Sequence, residues 1–513
     1  MFDFALATTP EICVELGRRL RARRLVQGWS QIELAQRAGI SAGTIKNLEK
    51  HGRATLESFI HVVAALGLSD ELRDIFLIRM VSIAAMEKAE RANRQRAPRT
   101  AQGIEMKRLA VMYKGWGEDW HLGTLADNGL GILFEYSPVA LHRGIELSPR
   151  HLPLRPDAFH GFPPYQHHLP GLIADSLPDG WGMLLMDRLF RKQGRALNNI
   201  SPLDRLAFIG DRGMGALGYV PPDPMELSPD DLSLLDMAKA MQTVLQGRDN
   251  VLLKQLSMLG GSPHGSRPKV LLRLDPASGA ATTRDDPGWG QPWMVKFPAQ
   301  GEHKEVCAIE HVYAELARAC GLPMPATRHF DLDRRLAAFG VQRFDRYAGM
   351  RVPVHTLAGL LHADFRLPSL DYSTFLRATR LVTRDERQVE AAFERCVFNV
   401  LFNNRDDHAK NFSYRMERDG SFQLSPCYDI GFHPGPGGGH QMAVMGEGAA
   451  PALDDLLRLA TDAALPERRA RDIIAAMVTR AGLFAQLARN APIRAATVKA
   501  ITRAILANRD RLH

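Results

Sequence analysis

Arg405-Asp406-Asp407-His408-Ala409-Lys410-Asn411 places an aspartate, directly behind an arginine, five positions ahead of an asparagine. Arg-Asp-x-x-x-x-Asn is the spacing of a phosphoryl-transfer catalytic loop, where the aspartate accepts the hydroxyl proton and the asparagine binds a metal ion. Such transfer is mostly positioning and charge neutralisation, so the loop needs partners elsewhere: a lysine for nucleotide phosphates, a carboxylate to hold it, and a second metal-binding carboxylate. The sequence offers all three in order. Trp293-Met294-Val295-Lys296-Phe297-Pro298 reads as a strand closing on Lys296, and Glu310 follows within the helical period of Val306 to Leu316. Downstream, Tyr428-Asp429-Ile430-Gly431 supplies Asp-x-Gly, with Asp429 placed to hold Mg²⁺. Each signal alone is common, since strand lysines are usually solvated and Asp-x-Gly is usually a turn. Their order makes them specific.

Gly260 to Lys269, GGSPHGSRPK, leads into the apolar run Val270 to Leu274. Glycines there would let Gly261, Ser262 and Gly265 bring backbone N–H groups against phosphates, with Lys269 behind them; a plain Gly/Pro turn is the alternative. Ser266 stands where a Walker A motif requires lysine, which disfavours a P-loop ATPase. Arg108 to Met112 and Gly131 to Tyr136 read as further strands around the turn Asp127-Asn128-Gly129, Leu235 to Leu245 as a helix, and the stretch from about Tyr372 as mainly helical.

The N-terminal segment has a different character. Residues 1–108 hold 18 Lys plus Arg against 12 Asp plus Glu, a surplus of six out of the whole chain's +8. Clustered basic charge favours a polyanionic partner such as nucleic acid, although a solvated basic face gives the same count. Leu34, Ala35 and Ala38 keep helical period up to Gly39; Ser41 is a natural N-cap, and Ile45 and Leu48 continue a second helix. In a helix, glycine turn, helix arrangement the second helix presents its N-terminal side chains to the major groove. Gln31, Ser41, Thr44, Lys46 and Asn47 are the expected DNA contacts, each equally readable as an ordinary surface residue. Residues 86–102, MEKAERANRQRAPRTAQ, cannot bury themselves and read as a linker, with 86–95 alternatively a continuing basic helix.

At 513 residues, 45 % apolar and 24 % charged, the chain is several globular domains, which excludes wholesale disorder or a coiled-coil rod. Five scattered cysteines (13, 307, 320, 396 and 427) show no zinc spacing and suit reduced thiols, and no apolar run approaches the ~18 residues of a membrane span. A cytoplasmic protein is expected.

These motifs carry two resemblances. Trp29-Ser30-Gln31, Leu34-Ala35, Ala38-Gly39-Ile40-Ser41, Thr44-Ile45, Leu48-Glu49 and Gly52 make about the first 70 residues resemble the Xre/Cro-type helix-turn-helix family, with His51 a minor departure. From about residue 106 onward the chain resembles the HipA family of bacterial serine/threonine kinases, toxins of type II toxin-antitoxin pairs. The landmarks are Leu177-Pro178-Asp179, Ile209-Gly210-Asp211, Gly215-Ala216-Leu217, the loop from Ser262 to Lys269, Val295 to Pro298, Arg343-Phe344-Asp345-Arg346, Asn404 to Asn411 and Cys427-Tyr428-Asp429.

The second resemblance implies a kinase-like fold, ATP with Mg²⁺, and a serine or threonine on a protein target, an aminoacyl-tRNA synthetase in characterised relatives. It implies that Lys296 contacts the phosphates, Gln342 to Phe344 form the hinge near adenine, Asp406 is the catalytic aspartate, and Asn411 and Asp429 bind Mg²⁺. Ser262 falls at an autophosphorylated position of the family, and Ser266 competes as acceptor. The expected architecture is therefore multi-domain, an all-α helix-turn-helix domain followed by an α+β two-lobed kinase-like domain. Its expected divisions are 1–84, a linker over 85–105, an N-terminal subdomain over 106–225, an N-lobe over 226–345 and a helical C-lobe over 346–513. Relatives usually carry the Xre-type antitoxin as a separate chain; here fusion keeps it at high effective concentration. Expected partners are operator DNA, read as a near-palindrome if the chain forms a homodimer, and the protein substrate, with no membrane. Two other readings remain: a non-catalytic, ATP-sensing transcription regulator, and a small-molecule kinase, which would need neither the N-terminal subdomain nor the fusion.

Overall fold

The computed structural model describes residues 8–72, 83, 107–127, 131–223, 233–248, 252–260, 265, 267–275, 277–278, 280–282 and 288–513. It divides into two compact units, Met1–Met80 and Val81–His513. The linker expected over 85–105 and the domain boundary at 84 fall outside the described residues.

The first unit is helical, with α1 Thr9–Val26, α2 Gln31–Ala38, α3 Ala42–His51 and α4 Leu56–Ala65. Each of the turns around α2 and α3 is capped as its sequence requires. Ser30 Oγ accepts from the Glu33 N–H, Gly39 ends α2 at φ 67°, and Ser41 Oγ accepts from the Thr44 N–H at 3.0 Å. Leu20, Leu34, Ala38, Ile45, Leu48, Val62 and Leu66 bury into one core. Inside it Arg24 and Glu49 pair at 2.6 Å. α1 and α3 approach so closely that a Cβ on Gly17 would lie 2.1 Å from the Leu48 carbonyl oxygen.

The second unit begins with a four-stranded antiparallel sheet of order β3-β2-β1-β4, formed by β1 Lys107–Tyr113, β2 Trp120–Asp127, β3 Ile132–Tyr136 and β4 Leu217–Val220. A five-stranded antiparallel sheet follows, of order β6-β5-β7-β9-β8. Its strands are β5 Lys269–Leu274, β6 Ala281–Thr282, β7 Gln291–Lys296, β8 Thr327–Asp331 and β9 Ala337–Gln342.

Alternation sends the side chains of β5 and β7 to two different covers. One cover includes Trp181 and Leu185 of α5 (Gly180–Lys192) and the helices Leu234–Leu245 and Leu253–Gly260. The other is α6 (Glu305–Ala319), whose Cys307 packs with Phe339 and Val341 of β9. The remainder is mainly helical, with α7 Tyr372–Thr383 and α8 Glu386–Leu401 at its centre. A single hydrophobic core runs from the four-stranded sheet into these helices. The chain is thus an α-helical unit followed by an α+β unit, and residues 405–411 lie between the end of α8 and the strand Ser413–Met416.

Candidate active site

Trp293 and Val295 point into the sheet core, and the last residue of β7, Lys296, carries a buried ammonium at the end of the sheet's central strand. Its Nζ contacts Glu310 Oε1 of α6 and lies 2.5 Å from Asp429 Oδ1. Burial alone would lower the lysine's pKa, but the Asp429 and Glu310 charges outweigh it and hold the ammonium protonated well above its usual range. Asp429 is the mirror case. Desolvation opposes its charge, yet Lys296 and Lys269 keep the carboxyl far below the ordinary carboxylate range. It also adopts φ 52°, uncommon for a residue other than glycine, at the point where the chain turns into the cleft.

Lys269 begins β5 directly opposite Lys296 in register. It is buried, and desolvation pulls its pKa down despite Asp429 nearby. Gly265 stands over it at φ 103°, a backbone conformation that favours glycine, and a Cβ there would be 2.3 Å from Lys269 Nζ. Arg267 joins the same rim, 2.9 Å from Glu302 and 3.6 Å from Glu310. Gly261, Ser262 and Ser266 lie outside the described residues.

Asp406 faces a cavity of about 530 Å³ with its side chain 41 % exposed. The cavity is also lined by Lys296, Glu310, Asp429, Lys269 and Gly265. Asn411 Nδ2 donates to the Asp406 carbonyl at 2.6 Å, which leaves the amide oxygen as the atom to offer a metal ion. A second cavity of about 110 Å³ shares Lys296, Lys269 and Asp429 and extends past Gln342, Phe344 and Asn411. Met214, Ala216 and Leu217 of the N-terminal sheet region complete it, and Phe344 packs on Tyr428 at 5.4 Å. An apolar slot next to a cationic, carboxylate-bearing chamber suits a planar base joined to phosphates. Among the described residues no cluster of three or more His, Cys, Asp or Glu is arranged to hold a metal ion. One carboxylate and one amide do fit Mg²⁺, which takes few protein ligands and completes its shell with phosphate and water.

Three groups that sequence reasoning left without a role support this arrangement. Asp407, fully buried, accepts from Tyr372 OH and His440 Nδ1, both at 2.7 Å, and from the Gln441 N–H at 2.8 Å, pinning the loop beneath Asp406. Asp345 accepts two bonds from Arg343, one from Arg346 at 2.7 Å and one from the Gly215 N–H at 2.8 Å, tying the N-terminal sheet region to the end of β9. Asp179 accepts from the Gly265 N–H and lies 3.3 Å from Lys410. Asp345 and Asp179 sit within the quoted landmark motifs, which was their only signal.

On the first unit, Ser41 and Thr44 share a 2.8 Å hydrogen bond at the start of α3, Lys46 is exposed, and Asn47 Nδ2 donates to the Arg53 carbonyl at 3.2 Å. Gln31 Nε2 donates to Glu49 Oε2 at 2.8 Å, so its amide is braced by the buried ion pair. Among the described residues no helix is long and apolar enough to cross a membrane.

Three family models match the chain: a helix-turn-helix domain over residues 15–76, a HipA N-terminal domain over 113–220 and a HipA-like C-terminal domain over 261–483. A putative kinase, Y4mE, of Sinorhizobium fredii is 26 % identical over 260 residues, covering 45 % of this chain. The match spans 57 % of that relative's length. Among solved structures, the toxin-antitoxin system HipA, HipB and operator DNA complex of Shewanella oneidensis aligns with TM-score 0.59 at 17 % identity. It covers 79 % of this chain and 97 % of that one, and shows the fold. The proinflammatory kinase CtkA of Helicobacter pylori aligns with TM-score 0.34 at 14 % identity over 43 % of this chain and 88 % of its own.

Proposed function

Since this chain belongs to the HipA family and carries a helix-turn-helix domain ahead of its HipA domains, we propose that it is an ATP-dependent serine/threonine protein kinase, a toxin whose fused head binds operator DNA. The observation that carries this reading is the Lys296 ammonium held between Glu310 and Asp429 beside Asp406. Bound Mg²⁺ would neutralise phosphate charge, with Asp429 and Asn411 as its protein ligands. Lys296 binds nucleotide phosphate and is oriented by Glu310. Gln342 and Phe344 border the base. Asp406, the exposed carboxylate of the loop, takes the proton of the serine or threonine hydroxyl, and the buried Asp407 fixes its backbone. The carboxylate pair on Lys296 explains why the lysine stays charged in a buried setting, which a phosphate-binding role requires.

An aminoacyl-tRNA synthetase is the proposed target class, on the family resemblance. Ser262, with Ser266 competing, is the proposed autophosphorylation site; a phosphate there would repel those of ATP and silence the enzyme. The α3 face bearing Ser41, Thr44, Lys46 and Asn47 is proposed to read DNA. The test is a phosphoproteome from cells expressing wild type or Asp406→Asn, with peptide mapping of the purified chain. Phosphosites dependent on Asp406 support the reading, and identical phosphoproteomes contradict it.

A further inference from the structure

Glu310 meets Lys296 only where α6 stands at one height along its own axis, and α6 is held on both sides of Glu310 by polar contacts that the proposed transfer does not use. Glu305, its first residue, is buried, yet its carboxylate accepts four hydrogen bonds from a segment that begins 189 residues later. The Arg494 N–H and Nε donate at 2.9 Å each, Arg494 Nη2 donates as well, and Thr497 Oγ1 donates at 3.0 Å. Burial opposes the charge, but Arg494 and Thr497 outweigh it and pull the carboxyl down to about 2. Beyond Glu310, Tyr313 OH donates to the Phe402 carbonyl at 2.6 Å, and its fully buried ring packs 5.6 Å from that of Phe484.

Arg494 and Thr497 open a further helix, α9 (Ala495–Arg511), whose Ile501 and Ile505 are buried in the core. Near its other end the buried Asn508 Nδ2 donates to the carbonyls of Val400 and Leu401 at 2.9 and 3.2 Å. Those two close α8, and the last carbonyls of a helix have no partner within it. Phe402 follows, so three successive carbonyls at the root of the loop that carries Asp406 are capped from α9 and α6. α9 thus joins the first turn of the helix bearing Glu310 to the root of the catalytic loop, across 17 residues or about 25 Å of helix. Apolar burial is non-directional and lets a helix slide on its neighbours, whereas charged and hydroxyl hydrogen bonds fix its position along the axis. Stability alone gives no reason to bury a carboxylate here, since apolar packing serves as well.

We propose, resting on the kinase reading, that Glu305 and Tyr313 are positioning residues and that α9 is a brace, setting the Lys296–Glu310 pair against Asp406 before any nucleotide binds. Lys296 has two carboxylates, Glu310 and Asp429. When α6 drifts, Lys296 keeps Asp429 alone of the two, and that is the carboxylate proposed for Mg²⁺. The phosphate-binding lysine and the metal site are then pulled out of place together. Released from Arg494 and Phe402, α6 also lifts from β9, where Cys307 packs with Phe339 and Val341. The buried Cys307 thiol therefore reports on that movement, and Cys396, fully buried in α8, reports on the rest of the unit.

The test uses the full chain with Mg²⁺ and saturating γ-labelled ATP, reading single-turnover autophosphorylation or phosphate release. Beside it, iodoacetamide alkylation is mapped by mass spectrometry at Cys307 and Cys396. Glu305→Gln and Tyr313→Phe should each slow transfer at least ~10-fold, the scale of one lost buried hydrogen bond. Each should also let Cys307 react severalfold faster with Cys396 unchanged, because the opening is local to α6. A merely structural role would speed both thiols together. That result, faster Cys307 with transfer unchanged, or Cys307 still protected overturns the inference while leaving the kinase reading intact. Wild type that neither binds ATP nor transfers its phosphate ends both. Should Glu305→Gln fold poorly, Tyr313→Phe, which keeps the ring in its core, decides alone.

Discussion

Asp345 gives a prediction whose size follows from its surroundings. The carboxylate is completely buried, and it accepts from both Arg343 and Arg346, whose side chains are only 9 % and 15 % exposed. Asp345→Ala removes the anion and strands two guanidiniums with little water to replace it. Losing one partner of a buried ion pair costs about 3 to 5 kcal/mol, or roughly two to four decades in the folding equilibrium. Arg346 and Arg351 also donate to the Gly213 and Gly215 carbonyls, so the damage should centre on the join between the N-terminal sheet region and β9. Five of the six tryptophans lie at position 116 or beyond, so their fluorescence follows unfolding of the second unit in urea.

Acid supplies an independent check on Asp345. Burial would raise its pKa, but Arg343 and Arg346 outweigh that and hold the folded carboxyl well below the usual range. A depressed folded pKa means stability that is present above the unfolded value near 3.9 and lost as pH falls through the folded one. The gap between wild type and Asp345→Asn should therefore be full at pH 7 and shrink progressively below about pH 4. An Asp345→Ala transition within about 0.5 kcal/mol of wild type, or a gap independent of pH, refutes the reasoning.

Other expectations are as specific. Gly52 sits at φ 65°, and a Cβ there would lie 2.2 Å from the Cys13 carbonyl carbon, so Gly52→Ala should unfold the helical head at lower urea while leaving the tryptophan transition of the second unit in place. On DNA drawn from the region upstream of its own coding sequence, Lys46→Ala should weaken binding and reduce the slope of log affinity against log salt by about one; an unchanged slope removes Lys46 from the phosphate contacts. Asp407→Asn weakens the charged bonds from His440 and Tyr372 that fix the loop, so transfer should drop at least ~10-fold with nucleotide affinity nearly unaltered, measured by calorimetry beside a rate assay.

Much of this fold is legible in the sequence. β5 and β7 are apolar runs with clear boundaries, and Val306 to Leu316 keeps helical period, so the sequence placed Lys296 and Glu310 on the elements where they are found. β2 escaped because its burial does not alternate: Leu122 and Gly123, then Leu125 and Ala126, are buried in pairs, and β1 carries a register shift opposite it between Val111 and Met112. β8 escaped because Thr-Arg-His-Phe-Asp is polar and only half-buried. Helix-turn-helix was readable because every deciding signal there is local, a cap, a glycine and a period. Asp179 and Asp407 were not given roles, because each takes its meaning from partners 33 to 231 residues away, which no local pattern reports; Asp345 has Arg343 and Arg346 beside it in the sequence, but its tie to the Gly215 N–H spans 130 residues.

The central claim is that Lys296, Asp406, Asn411 and Asp429 work on a single nucleotide. Its most direct test is label transfer from γ-labelled ATP with Mg²⁺, comparing the full chain with Asp406→Asn at matched nucleotide affinity. Wild type should yield labelled protein or released phosphate, and the variant, which still binds ATP, a rate lower by at least ~100-fold. Equal rates from the two, or wild type that binds no ATP, would contradict it.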